Sequence, residues 1–195
     1  MLKQYPSIEG NPDANGIISE RHADRLRKLV EDARAKDAKI VTVGGDPGRR
    51  IIAPTLIVGA TPDMTVMQEE IFGPLLPIVS ADTLDEAMAF INGRDRPLAL
   101  YWFGNDSAKQ KKVLAQTISG GVTINDAMVH FLQENLPFGG IGASGMGHYH
   151  GEYGFKTFSK EKPVFFQSRF SGASMIYPPF TDFTRRIVLF LKRIA

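Results

Sequence analysis

Along most of the chain, segments with apolar residues at helical spacing alternate with short apolar runs, and this alternation predicts an α/β fold. After Ser19, charged residues separate apolar ones at the spacing of an amphipathic helix: Ala23, Leu26, Leu29, Val30 and Ala33. Short apolar runs then alternate with helical patterns as far as Ile124. Because such alternation is typical of βαβ units, a parallel sheet with helices packed against it is predicted.

Local signals mark where the predicted helices begin, and a proline interrupts one of the strands. Ser19 is a predicted N-cap, and Thr83 with Glu86 has the spacing of a capping box. A third helix is predicted after residue 105. Strands are predicted over residues 39–43, 51–58, 75–79, 98–103 and 122–124. Pro54 lies in the second of these strands, which is therefore predicted to be irregular or to lie at a sheet edge.

Glycine and aromatic residues dominate beyond Asn125, where two late elements are predicted. The apolar run from Val164 to Gln167 predicts a strand, and residues 180–195 predict a helix with one apolar and one basic face. The predicted organisation is an irregular lead over 1–16, a main domain over 17–160, the late strand over 161–170, and a linker with the basic helix over 171–195.

Composition is that of an ordinary globular protein and argues against several classes of function. Hydrophobic residues make up 43% of the 195 residues and charged residues 23%. The net charge of +2 and the dispersed basic residues argue against nucleic-acid binding. No signal peptide follows Met1, and no stretch approaches the roughly 20 apolar residues that span a bilayer, so a cytoplasmic location is expected.

The chain contains no cysteine, which excludes disulfides, zinc-thiolate sites and a cysteine nucleophile. Its histidines do not predict a metal site either. His22 is expected on the surface of the first helix. His148 and His150 have no carboxylate or cysteine at ligand spacing, so no metal ligand is predicted.

The first motif that could carry chemistry is Gln68–Pro74, which reads QEEIFGP. Two carboxylates stand beside an aromatic residue, a glycine and a proline, a composition that suits neither a helix nor a strand. Apolar runs flank the motif, so it is interpreted as a shaped connection on a rigid scaffold, where functional residues are common. A turn with a solvated acidic pair would give the same pattern.

The second motif is Leu136–Gly147, which reads LPFGGIGASGMG. It contains the spacing G-x-G-x-x-G, but no strand is predicted before it, so a dinucleotide-binding fingerprint is not predicted. We interpret the segment as a glycine-rich loop whose backbone passes close to another part of the chain.

These two motifs, in this order, resemble the aldehyde dehydrogenase superfamily. The segments around Tyr149–Gly151 and Phe155–Ser159 are most similar to its class 3 and coniferyl aldehyde dehydrogenase branch. The resemblance extends from about residue 16 to about residue 167 and corresponds to the C-terminal part of such an enzyme. It implies part of the catalytic domain over 17–160 and an oligomerisation strand over 161–170.

The resemblance implies ligand contacts for four residues. Glu70 would bind the nicotinamide ribose of NAD or NADP, and Phe72 would pack near the nicotinamide ring. Phe138 would line the substrate tunnel, and His130 would contact substrate near its mouth. Structural alternatives stay open for three of them: Glu70 could cap a turn, and Phe72 and Phe138 could be core residues.

In the family, a cysteine thiolate attacks the aldehyde, hydride passes to NAD or NADP, and a glutamate activates the water that hydrolyses the thioester. The family's cysteine and general-base glutamate precede the part that this chain resembles, so no catalytic residue is predicted here. The chain is interpreted as the C-terminal part of an enzyme that oxidises an aldehyde, such as coniferyl or another aromatic aldehyde, to the acid. It is expected to be inactive alone.

Two other interpretations remain open. The chain could be a non-catalytic protein that complements a separately encoded first half, or it could act at a membrane surface through residues 180–195. A homo-oligomer through residues 163–167 is also predicted, because an exposed apolar strand tends to pair with another chain.

Overall fold

The computed structural model describes residues 8, 11, 13–44 and 48–194, so most of the predicted irregular lead and Ala195 lie outside the described residues. The described residues fall into two units. The first comprises residues up to Arg94 together with Asp106–Thr117, and the second comprises Asp95–Asn105 and the residues from Ile118 onward. The α/β class is confirmed: both units contain parallel strand pairs, and helices accompany them.

The first unit is built on helix α1, Glu20–Ala35, and a three-stranded sheet. The Ser19 hydroxyl accepts the backbone N–H of His22 and caps the helix as predicted. The sheet has the order β1–β2–β3, with bounds Lys39–Thr42, Thr55–Val58 and Leu75–Ile78. Strand β2 pairs in parallel with β3 but antiparallel with β1. The antiparallel pair differs from the predicted all-parallel sheet, because no helix crosses over between β1 and β2.

Pro54 lies just before strand β2 and does not interrupt it. Strand β2 begins one residue later, at Thr55, and lies in the centre of its sheet. Of the two predicted alternatives, the edge position was therefore wrong, whereas residues 51–54 are irregular as the other alternative has it. Proline has no N–H to donate, but its carbonyl accepts the N–H of Val43 at 3.0 Å, so Pro54 still contributes one bond beside the ladder.

The core of the first unit lies between α1 and the sheet. Leu26, Ile57 and Met64 are its largest fully buried side chains. Burial of each aliphatic side chain of this kind stabilises a fold by about 1.5–3 kcal/mol. Leu26 belongs to α1 and Ile57 to β2, so the same contacts that form the core fix the helix against the sheet.

Asp32 ties α1 to the connection between β2 and β3. The Thr65 N–H donates to its carboxylate at 2.7 Å, and Lys36 Nζ lies 2.9 Å away. These two partners hold the pKa of Asp32 below its usual range, the Thr65 bond having the larger effect. Because the unfolded pKa is about 3.9, the contribution to stability is fully present above that pH and is lost as the pH falls through the lowered pKa.

Two further helices complete the first unit. Helix α2, Leu84–Asn92, begins with the predicted capping box of Thr83 and Glu86. Helix α3, Ser107–Gln116, begins at the N-cap Asp106. The Asn92 side-chain amide donates to the Gln116 carbonyl at 2.8 Å and joins the ends of the two helices.

The second unit contains the parallel strands β4, Ala99–Trp102, and β5, Gly121–Ile124, followed by helices α4, Gly151–Thr157, and α5, Asp182–Ile194. The predicted C-terminal helix is thus present. The predicted strand over Val164–Gln167 is not formed, because no strand within the described part of the chain pairs with this segment. Among the described helices, none is long and apolar enough to cross a membrane.

Candidate functional site

The Gln68–Pro74 loop connects a short 3-10 turn, Thr65–Met67, to strand β3. Arg25 of α1 holds the loop through its guanidinium group. It donates to the Glu69 carboxylate and to the Glu70 carbonyl, each at 3.1 Å, and also to the Ile71 carbonyl. One side chain of the helix thereby fixes three consecutive residues of the motif.

Phe72 adopts a conformation that is unusual for a residue with a side chain. Its φ of +52° lies in the left-handed region. Nε2 of His22 lies 3.0 Å from its carbonyl oxygen, and the residue is 75% exposed. The side chain is therefore no part of the core of this chain, and its face is open to a ligand.

Gly73 allows the loop to pack directly on α1. A Cβ at this position would lie 2.4 Å from Cδ1 of Leu26, which is completely buried, so the leucine side chain or the loop would have to shift. Glycine is thus favoured by this close approach, and the loop returns to the sheet where the Thr55 N–H donates to the Pro74 carbonyl at 2.9 Å.

Glu70 projects from this loop with a free carboxylate. The residue is exposed, and within the part of the chain that the structure describes its carboxylate has no hydrogen-bond or ionic partner. Its neighbour Glu69, by contrast, is paired with Arg25. A free carboxylate can accept hydrogen bonds from two adjacent hydroxyl groups, and the exposed Phe72 ring lies on the same loop. The residues present therefore fit the ribose and ring of a nicotinamide nucleotide.

The glycine-rich loop of the second unit folds closely on itself, as predicted. A Cβ on Gly140 would lie 2.1 Å from the Ser144 carbonyl oxygen, and one on Gly139 would lie 2.1 Å from the Gly147 oxygen. A 3-10 turn over Gly142–Ser144 follows in place of the helix that a dinucleotide fingerprint requires.

Phe138 is the centre of an aromatic cluster next to this loop. Its backbone exchanges two hydrogen bonds with Tyr149, at 3.0 and 2.9 Å. Its half-buried ring stacks on His150 with 5.9 Å between centroids and lies at the same distance from His130. Phe138 and His130 are thus neighbours, as a shared substrate wall would require.

His130 is held on one side and unpartnered on the other. Its Nδ1 lies 2.8 Å from the hydroxyl of Thr123, while its buried Nε2 has no hydrogen-bond partner among the described residues. Nδ1 of His150 is unpartnered in the same sense. Both nitrogens are buried, so neither is open to a ligand in the single chain. Sequence reasoning identified His130 but assigned His150 no ligand contact.

His22 and Arg25 are the residues that the sequence did not reveal. His22 was expected on the surface, but it is half-buried and bonded to the motif loop. They are three positions apart on α1, so both lie on the helix face toward the loop. The loop follows some 45 residues later in the sequence, so no local pattern connects it with these two residues. Among the described residues, no group of three or more histidine, aspartate or glutamate side chains could hold a metal ion.

Comparison with known proteins identifies relatives across nearly the whole chain. A model of the aldehyde dehydrogenase family matches residues 2–164. A probable coniferyl aldehyde dehydrogenase of Pseudomonas aeruginosa is 50% identical over 184 residues, which cover 94% of this chain and 39% of that protein. The chain therefore spans well under half the length of the curated relatives it matches.

Two solved structures share the fold. The substrate-bound state of Staphylococcus aureus AldH matches with a TM-score of 0.77 and 41% identity, covering 95% of this chain and 40% of that one. A Mycobacterium tuberculosis aldehyde dehydrogenase complexed with NAD+ matches with a TM-score of 0.71 and 31% identity, covering 80% and 33% of the two chains.

Proposed function

The chain belongs to the aldehyde dehydrogenase family, and we propose that it supplies the nicotinamide-ribose clamp and part of the substrate wall of an NAD(P)-dependent aldehyde dehydrogenase. The observation that carries this proposal is the free carboxylate of Glu70 on a loop that is hydrogen-bonded to α1. Family membership and the NAD+ complex of the mycobacterial relative support NAD(P) as the cofactor. When bound, the nicotinamide accepts hydride from the substrate.

The chain's own residues would orient the two reactants. Glu70 would accept hydrogen bonds from the ribose hydroxyls, and Phe72 would limit the position of the ring. Phe138 and His130 would form part of the wall against which the aldehyde lies. An aromatic wall suits an aromatic substrate, since offset or edge-on ring contacts contribute about 0.5–1.5 kcal/mol beyond burial. We therefore propose for this wall a coniferyl-type aldehyde, the substrate in the name of the Pseudomonas aeruginosa relative.

Replacing Glu70 by Gln is expected to slow hydride transfer far more than it weakens cofactor binding. The test uses a chimera in which this chain follows the amino-terminal part of the Pseudomonas aeruginosa relative, because the chain itself has no cysteine. The phosphates still hold the cofactor, but a ring displaced by about 1 Å loses on the order of a hundredfold in rate. Single-turnover kinetics give the rate, and cofactor titration gives the dissociation constant.

Glu31→Gln is the matched control for this experiment. Glu31 is an exposed glutamate of α1, and that variant is expected to keep the rate of the unmodified chimera. Hydride transfer at the unmodified rate in the Glu70→Gln chimera would reject the ribose clamp.

Self-association through residues 163–167 is part of the same proposal. Val164, Phe165 and Phe166 are between 62% and 88% exposed, so three adjacent apolar side chains face water in the single chain. Pairing of this segment with its copy would cover them. The purified chain is expected to be a dimer or larger at micromolar concentration, and Phe165→Lys to shift it toward monomer in sedimentation experiments.

Phe158→Lys serves as the control for the effect of a new charge, since Phe158 is 89% exposed and lies outside the segment. A monomer for the unmodified chain, or equal dissociation in the two variants, would contradict association through residues 163–167.

Helix α5 favours a second candidate function, contact with an anionic membrane surface. Phe183 and Phe190 are each 63% exposed, and basic side chains stand close by in the helix: Arg185, Arg186, Lys192 and Arg193. An apolar face flanked by cations is typical of helices that lie in the headgroup region.

The chain is expected to sediment with phosphatidylserine-containing vesicles at low salt and to be released at high salt, because salt screens the attraction. Phe190→Asp should weaken binding, and vesicles of phosphatidylcholine alone provide the comparison. Absence of binding to the anionic vesicles at low salt would exclude this function.

A further inference from the structure

We infer that His22 and Arg25 of helix α1 are positioning residues for the nicotinamide-ribose clamp, holding the Glu70–Phe72 backbone in the one conformation that presents the Glu70 carboxylate. This inference rests on the proposed function of Glu70. It goes beyond that function because the two residues lie outside the motif and are given no ligand contact in the proposal.

Arg25 acts on the backbone of the loop. Its guanidinium donates to the adjacent carbonyl oxygens of Glu70 and Ile71 through Nη2 and to the Glu69 carboxylate through Nη1. The planar fork of arginine fixes the relative orientation of these acceptors, which the single ammonium group of lysine cannot do. The Glu70 carboxylate has no contact of its own in the described part of the chain, so its position follows from its backbone.

His22 extends the same arrangement by one residue. Nε of Arg25 lies 3.4 Å from Nδ1 of His22, and Nε2 of His22 lies 3.0 Å from the Phe72 carbonyl oxygen. Arginine can only donate, so Nδ1 accepts and the imidazole proton resides on Nε2, which donates to Phe72. Arg25 thus sets the tautomer in which His22 can hold Phe72.

The loop needs these contacts because its conformation is not one that the backbone prefers. Phe72 has a φ of +52°, a region that residues other than glycine occupy only when their surroundings determine it. The following Gly73 is pressed against Leu26, which stands next to Arg25 in α1. The loop is therefore shaped from one helix face by three side chains, two of which bind carbonyl oxygens.

The first test measures the loop itself in the 195-residue chain. Backbone order parameters of Glu70, Ile71 and Phe72 from 15N NMR relaxation are expected near 0.85, and below about 0.6 in Arg25→Lys and His22→Ala. His22→Gln keeps a side-chain N–H donor and is expected to restore order at Phe72. Arg34→Lys, the same substitution on an exposed part of α1, is the control. Thermal unfolding shows whether each variant is folded. If Arg25→Lys is not folded, the comparison of His22→Ala with His22→Gln still decides the test.

The second test connects the loop to the proposed function in the chimera. Arg25→Lys is expected to lower the single-turnover hydride-transfer rate on the order of tenfold with little change in cofactor affinity, and His22→Gln to retain more of the rate than His22→Ala. Unchanged order parameters in folded Arg25→Lys and His22→Ala would overturn the inference. An unchanged hydride-transfer rate in Arg25→Lys, when Glu70→Gln is slow, would also overturn it.

An unchanged rate in Glu70→Gln would instead reject the ribose clamp, so failure of the positioning role and failure of the clamp give different results.

Discussion

The purified chain alone is expected to reduce neither NAD nor NADP in the presence of an aldehyde. Formation of the thioester requires a thiolate, and the 195 residues include no cysteine. Ser144 of the glycine-rich loop does not replace it. The hydroxyl of Ser144 is engaged in its own turn, where it accepts the Ile141 N–H at 2.9 Å and donates to the Ile141 carbonyl at 3.1 Å. Absorbance of the reduced nicotinamide, followed with coniferyl and aliphatic aldehydes, measures the activity.

Contamination by host dehydrogenases is the main concern in that experiment, and Glu70→Gln controls for it. Activity that belongs to the chain should fall in this variant, whereas activity of a host enzyme should not change. Steady reduction that falls in Glu70→Gln would refute the expectation of an inactive chain. It would also require a reaction without the family's nucleophile.

Gly140→Ala is expected to destabilise the second unit by about 3 kcal/mol or more. The new Cβ would lie 2.1 Å from the Ser144 carbonyl oxygen and 2.6 Å from the Gly145 nitrogen. Both are backbone atoms, so neither a rotamer change nor a small tilt of a side chain relieves the contact, and the loop itself must open. Urea unfolding followed by the fluorescence of Trp102 measures the effect, because the chain's single tryptophan lies in β4 of this unit.

Gly154→Ala, in the same unit, is the control and is not expected to destabilise it. Gly154 lies within α4, and its Cβ would meet neighbouring atoms no closer than 3.5 Å, an ordinary contact. Alanine is favoured over glycine inside a helix by about 0.5–1 kcal/mol, so this variant should be neutral or more stable. Equal midpoints for Gly140→Ala and the unmodified chain would show that the loop is not packed as described.

The features that the sequence predicted well are those whose partners are close in sequence. Ser19 with His22, and Thr83 with Glu86, form their bonds within three residues, so a local pattern is sufficient. The glycine loop is similar, because Gly140 packs against Ser144 of the same segment.

The features that the sequence did not predict depend on contacts between distant residues. The antiparallel pairing of β1 with β2 depends on the path of the intervening chain, which apolar periodicity does not report. Val164–Gln167 has the composition of a strand, but a strand also needs a partner. The contacts of Arg25 with the motif loop join residues 44 to 46 positions apart, and an arginine on a charged helix face gives no local sign of them.

The packing of Gly73 on Leu26 has a consequence for how this sequence can change over time. Leu26 fills the core below the loop, and the missing Cβ of Gly73 provides the space that the leucine methyl groups occupy. A larger residue at 73 would require the Leu26 side chain or the loop to shift, and a smaller residue at 26 would leave a cavity in the core. Substitutions at the two positions are therefore expected to be coupled, so selection on core stability and selection on the loop that carries Glu70 act on the same pair of residues.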